Sequence, residues 1–246
     1  MTQIDKTATG RRQQAKRFSK RSRRWIAGAA VAAIAIGLAA CATTQQGGTM
    51  SFFVTSIGGG NGADYGGVTG ADQHCQKLAA ASGVAGAAGK TWRAYLSQQA
   101  TGGQLTINAR DRIGAGPWFN AKGELIAVNV TDLHAASNRI TKQTALDERG
   151  QVVLGRGDST NRHDILTGTK PDGTAYSPND PDMTCGNWTR NGTEGMAVVG
   201  HHDRSGPTTD AWATSWNSSH VSRGGCSQAA LKSTGGDGLL YCFAAQ

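Results

Sequence analysis

The five cysteines of this 246-residue chain divide into one and four, and that division constrains the fold more than any other feature. Cys41 ends an N-terminal stretch made of a basic run, an apolar run from Trp25 to Ala40 broken by Gly28 and Gly37, and the closing Leu38-Ala39-Ala40-Cys41. The apolar run is too short to span a bilayer comfortably as a helix, and the order basic, apolar, small is that of an export signal. Cys75, Cys185, Cys226 and Cys242 lie beyond it. An even number of cysteines in an exported chain reads as disulfides. Four cysteines allow three pairings, and spacing alone does not choose among them. A zinc ribbon is disfavoured, because no two of the four stand at the close spacing such ribbons use.

The formal charge of +8 sits entirely in the first stretch: residues 1–40 hold nine Lys and Arg against one acid, Asp5, and the remainder is formally neutral. A neutral domain lacks the phosphate-neutralising surface that nucleic acid demands, so no nucleic-acid partner is expected. Leu38 to Cys41 resembles the bacterial lipobox, which implies cleavage before Cys41 and acylation of that residue. Several acyl chains on one terminus give stable membrane anchoring. Ala42, in place of Asp, resembles the outer-membrane sorting preference, so the expected location is the cell envelope, lipid-anchored at the outer membrane. Residues 41–50, largely Thr, Gln and Gly, read as a flexible tether. Residues 51–246 are long enough for one domain with a core.

Within that domain, Thr69-Gly70-Ala71-Asp72 reads as a capping box ahead of a helix with Ala71, Cys75, Leu78 and Ala79 on its buried face and Gly83 as its stop. In Thr91 to Ser97, Trp92, Ala94 and Leu96 alternate as in a half-buried strand. Gly238 to Phe243 is a short strand carrying the last cysteine. Between these ends Gly, Asn, Asp, Pro and Ser dominate, so loops and short strands are expected.

The runs Val68-Thr69-Gly70-Ala71-Asp72-Gln73-His74-Cys75-Gln76 and Trp92-Arg93-Ala94-Tyr95-Leu96-Ser97 resemble the opening helix and strand of the endostatin branch of the C-type-lectin-like fold. Leu166 to Gly173, Thr184-Cys185-Gly186-Asn187-Trp188-Thr189 and Leu240-Tyr241-Cys242 follow in the same order. Bacterial lipoproteins of uncharacterised function carry this domain as well, and the resemblance covers residues 52–245. It implies an α+β, C-type-lectin-like (endostatin-like) domain with long loops, one or two helices against twisted antiparallel strands. It also implies a nested pairing, Cys75 with Cys242 and Cys185 with Cys226, the inner bridge clamping the long-loop region. Reduction is then expected to loosen Thr184 to Cys226 first.

Candidate sites are sparse. Trp216-Asn217-Ser218 stands where calcium-dependent lectins carry Trp-Asn-Asp, so the Asp is missing, and no Glu-Pro-Asn or Gln-Pro-Asp triplet completes a cage. Calcium takes six to eight oxygens. Asn179-Asp180-Pro181-Asp182 offers some of them, yet reads as a turn, so no cofactor is expected, with calcium the one alternative. His201-His202-Asp203 is the densest polar group, with His220 nearby. Neighbouring residues on a strand face opposite ways, and a solvated loop is the expected reading, with no metal assigned. The histidine-rich zinc site of animal endostatin has no counterpart in Ser51 to Gly70, nor does a neutral domain supply a heparin-binding surface.

Catalytic signatures are lacking: no Gly-x-Ser-x-Gly, no phosphate-cradling loop, no His-Glu-x-x-His. The reactive cysteines of formylglycine-generating enzymes, which share the wider fold, have no unpaired equivalent here. Trp92 and Trp188 are expected in the core. Trp212, Trp216, Asn217 and His202 are the candidate ligand-binding residues. The leading expectation is a non-enzymatic recognition module that binds a glycan or an envelope protein through the loops 180–226. The alternative is a structural or assembly lipoprotein without sugar binding.

Overall fold

The computed structural model describes residues 47–245. The expected export signal 1–40, the expected acylation at Cys41 and the first part of the expected tether fall on residues outside those described. The folded part begins before Ser51. Met50 is buried in the core, and the Lys90 ammonium donates to the Thr49 hydroxyl at 2.8 Å and to the Met50 carbonyl at 2.7 Å. No helix among the described residues is long and apolar enough to cross a membrane.

The elements are short and mixed, an α+β arrangement. In chain order they are β1 (Phe52–Val54), α1 (Gly67–Ala81), β2 (Trp92–Ala94), β3 (Trp118–Phe119), β4 (Leu125–Ala127), α2 (Val130–His134), β5 (Asp164–Leu166), α3 (Cys185–Trp188), β6 (Val198–His201), β7 (His220–Val221), α4 (Gln228–Thr234) and β8 (Gly236–Ala244). The main sheet runs β1-β8-β5-β6-β7, with β2 also on β8, while β3 and β4 form a separate pair. β1 and β2 are antiparallel to β8, β5 is parallel to it, and β6 and β7 continue outward in antiparallel register.

β8 sorts the molecule into two cores because successive side chains leave a strand on opposite faces. Leu240, Cys242 and Ala244 join the cluster beneath α1, with Phe53, Cys75, Leu78, Trp92 and Trp188. Leu239, Tyr241 and Phe243 join the other, with Phe52, Tyr95, Trp118, Ile126 and Trp216. A strand covered on both faces reads as an unbroken apolar run, which is how Leu239 to Phe243 appears. α1 turns Ala71, Cys75, Leu78 and Ala79 inward, at the spacing expected for a helix face.

The capping box does not form. The N-cap is Gly66 in the left-handed region, without a side-chain cap. Asp72 instead points into the protein: it accepts from the Ala94 amide at 2.9 Å, from Arg93 at 2.7 Å and from both terminal nitrogens of Arg112 at 2.9 and 3.1 Å. A buried carboxylate engaged by two guanidiniums and a strand amide outweighs one helix-end amide, so the carboxylate joins α1 to β2. α4 was not legible as a periodic segment. Ser227 caps it through the Ala230 amide, and Gly235 ends it.

Two disulfides are present, Cys75–Cys242 and Cys185–Cys226, both fully buried. The first joins α1 to the centre of β8. The second holds α3, a single left-handed turn in which Cys185, Gly186, Asn187 and Trp188 all have positive φ. Left-handed backbone costs about 1–2 kcal/mol per non-glycine residue, so this turn needs external support. Asn187 supplies part of it by accepting from the Gln99 amide and donating to the Gln99 carbonyl, both at 2.9 Å, while the Trp188 indole donates to the Ser97 carbonyl at 2.8 Å.

Two outcomes follow. Asp72→Ala strands the Arg112 guanidinium and the Ala94 amide and should destabilise by about 3–5 kcal/mol in denaturant unfolding; Arg93→Ala, at an exposed partner, should cost under about 1 kcal/mol. The longer loop closed by Cys75–Cys242 confers about 5 kcal/mol in the chain-entropy model, against about 4 for Cys185–Cys226. With limiting reductant, hydrogen exchange should therefore rise first across residues 184–226, and an earlier rise at β8 would contradict this order.

Candidate functional site

Three neighbouring strands bring the titratable residues together. Asp164 opens β5 and lies directly opposite His201, the last residue of β6, while His220 opens β7 opposite Val199. Residues i and i+2 of a strand share a face, so Asp164, His201 and His220 fall on one side of the sheet. His163 precedes β5 and stacks flat on His201, with ring centroids 4.1 Å apart and 11° between planes.

All three imidazoles turn Nε2 toward the Asp164 carboxylate. The distances to Oδ1 are 3.2 Å from His163, 3.2 Å from His201 and 3.5 Å from His220, and the Nε2 atoms of His201 and His220 are 3.0 Å apart. Yet neither Asp164 oxygen receives a hydrogen bond, although both are shut away from solvent. The far ring nitrogens explain the orientation. His201 Nδ1 donates to the Ala213 carbonyl at 2.7 Å, His220 Nδ1 to the Val221 carbonyl at 3.1 Å, and His163 Nδ1 to Asp203 at 3.2 Å. A carbonyl or carboxylate accepts only, which places a proton on each Nδ1 and turns each Nε2 inward. Burial lowers the pKa of His220 against the opposing pull of Asp164. Burial raises that of Asp203, but hydrogen bonds from His163 and from the Ser205 and Arg156 amides overcome it and hold the carboxyl well below its ordinary range.

The loop carrying Ala213 lies close over β6. The His201 amide donates to the Ser215 carbonyl at 2.9 Å, and a methyl group on Gly200 would collide with the Trp216 carbonyl. Gly200 thus sets how near that loop approaches and holds the Ala213 carbonyl on His201. Beside the cluster is a cavity of about 340 Å³ lined by His163, His201, His220, Arg156, Asn161 and Arg223, with Pro207, Thr234 and Trp212 completing its wall.

Three of the four expected ligand residues are elsewhere. Trp216 is only 3% exposed and packs on Tyr95, with ring centroids 4.8 Å apart. Asn217 is buried with it and donates to the Tyr95 hydroxyl at 3.0 Å and the Pro171 carbonyl at 3.1 Å. His202 is buried on the opposite side of β6 from His201 and donates to the Leu154 carbonyl, with burial lowering its pKa to about 4. Trp216 and Asn217 are committed to packing because the 213–219 loop folds inward over β6, and His202 because it turns away from that loop toward the Leu154 carbonyl. His201 and His202 are accordingly buried residues of a strand end, not a solvated loop. Trp212 alone is open, at 48% exposure.

The acidic loop is a turn. Asp180 accepts from the Ser177 amide, while Asp182 accepts from the Thr184 amide and hydroxyl and from the Gly186 amide, so these carboxylates are spent on backbone. Sequence reasoning missed His163 and Asp164. Their signal was the pair His-Asp at the head of the apolar run Ile165-Leu166, a polar start to an otherwise buried strand. No protein-family model matches the chain, and no curated protein matches it.

Trp216→Ala should destabilise by about 3–5 kcal/mol, as expected for an aromatic removed from a core, whereas Trp212→Ala should change stability by under about 0.5 kcal/mol. Denaturant midpoints of the two variants against the unsubstituted protein check this pair.

Proposed function

We propose that the chain is an envelope lipoprotein, held at the outer membrane through acylated Cys41, whose folded domain is a C-type-lectin-like recognition module of the endostatin-like branch. Its supports are the motif order, the bridge from first helix to last strand, the pairing of β1 with β8, and the second bridge that clamps the loop region. The module binds a glycan or an envelope protein from the 180–226 loops, without catalysis.

The observation that carries the binding reading is Trp212. A half-exposed indole at the edge of a polar cavity is an unfavourable place to leave a large apolar ring unless something covers it. Arg156, Asn161 and Arg223 beside it provide the donors that hydroxyl or carboxylate groups need. An indole face next to such donors suits a sugar ring, which presents a C–H face and a rim of hydroxyls.

The test is glycan-array binding by the full chain in detergent, with both disulfides formed, in calcium and again in chelator. Selective binding that Trp212→Ala weakens by at least about tenfold, corresponding to the loss of about 1.4 kcal/mol, supports the reading. Silence from folded, oxidised protein moves the assignment to the protein-binding or structural alternative. Binding lost only in chelator places a metal ion in recognition.

A further inference from the structure

We infer that His163, Asp164, His201 and His220 form a binding site for one divalent transition-metal ion of the zinc class. The inference rests on the geometry of these four side chains and stands whether or not the domain binds a glycan.

Asp164 Oδ1 is the atom on which the three imidazole Nε2 atoms converge. Its three distances to Nε2 atoms are 3.2, 3.2 and 3.5 Å, and the His201–His220 edge is 3.0 Å. Four ligands at about 2.0–2.1 Å from a tetrahedral ion stand about 3.3 Å from one another. The edges from Asp164 and the His201–His220 edge match that spacing; the donor atoms of His163, Asp164 and His201 lie within 4.8 Å of one another, and a turn of the His220 ring brings in the fourth ligand.

The hydrogen-bond pattern leaves the centre of the cluster unfilled. All three Nδ1 protons are used outward, so each Nε2 points inward as a lone pair or as a second N–H. At a separation of 3.0 Å, His201 and His220 cannot both carry a proton between them. None of the Nε2 atoms is aligned to hydrogen-bond Asp164, whose two oxygens are buried without partners. Two buried carboxylate oxygens left without hydrogen bonds are unfavourable, and a single cation at the point where the donors converge supplies their missing partner.

The surroundings are those of a metal centre. Each imidazole is oriented through its far nitrogen, His163 by a carboxylate and the other two by backbone carbonyls, the arrangement that fixes tautomer and ring direction at metal-ligating histidines. Three nitrogens and one carboxylate oxygen suit zinc and its neighbours. They do not suit calcium, which demands an oxygen cage. His220, one-fifth exposed in its side chain, borders the cavity and offers the way in. The ion would tie β5, β6 and β7 together at the edge of the sheet farthest from β1.

The test uses the full chain, oxidised, in detergent, free of any polyhistidine tag and stripped of metal by chelator. One equivalent of Co²⁺ should develop the intense visible absorption of tetrahedral coordination, and one equivalent of Zn²⁺ should displace it. Zn²⁺ at about a hundredfold above its Kd should raise Tm by about 5–10 °C, and Ca²⁺ should not. His220→Ala, at the most accessible ligand, should fold and weaken Zn²⁺ binding by at least about 100-fold. Asp164→Asn should raise the Tm of the metal-free protein while abolishing the Zn²⁺-induced shift, a crossing that no purely structural role for Asp164 produces. Folded wild-type protein without cobalt absorption or a thermal shift overturns the inference. So does a shift that both variants retain, or one given by Ca²⁺ in place of Zn²⁺.

Discussion

β8 is covered on both faces, and the rest of the molecule is arranged around that constraint. A nine-residue strand with Leu239, Tyr241 and Phe243 on one side and Leu240, Cys242 and Ala244 on the other must be buried in both directions. One cover is α1, fixed by the Cys75–Cys242 bridge and by Asp72 gripping Arg112 and the β2 amide. The other is built from loops and the short elements between β2 and β5, closed by Trp118, Tyr95 and Trp216. Burying aromatic surface of this size is the dominant favourable term, and it compensates for how little regular hydrogen-bonded structure the chain contains.

The legible parts of the fold were those with local signatures. The α1 face, the strand character at Trp92 and the apolar run of β8 are periodicities of one element each, and neighbouring residues determine them. Asp72 was misread because a cap and a tertiary ion pair need the same side chain at the same position, and only the location of Arg112, forty residues on, decides between them. α4 was missed because seven residues, Gln228–Thr234, give too little repeat to stand out.

The site was less legible for a similar reason. His163 just ahead of β5, His201 on β6 and His220 on β7 are far apart in the chain, so the register of these strands makes them neighbours and no spacing in the sequence marks the set. The rule that adjacent strand residues diverge did apply, since His201 and His202 face opposite ways. What the sequence could not supply was the inward fold of the loop at Trp216, which turned Trp216 and Asn217 into packing and left Trp212 outside.

The two ends of the described chain meet at one edge of the sheet: the Ala244 amide donates to the Ser51 carbonyl at 2.9 Å, and Phe52 pairs with Phe243. This has a mechanical meaning. A pull on the N-terminus loads the Lys90 contacts to Thr49 and Met50, then β1 where it lies against β8, and passes through the backbone ladder into the strand that Cys242 anchors to α1. The covalent bridge lies directly behind those hydrogen bonds, at the residue paired with Phe53, so force that strips β1 meets a cross-link before it can draw β8 away from α1. His163, His201 and His220, on strands farther out in the sheet, are off that path, and a domain tugged from its N-terminal end would keep the geometry of its site.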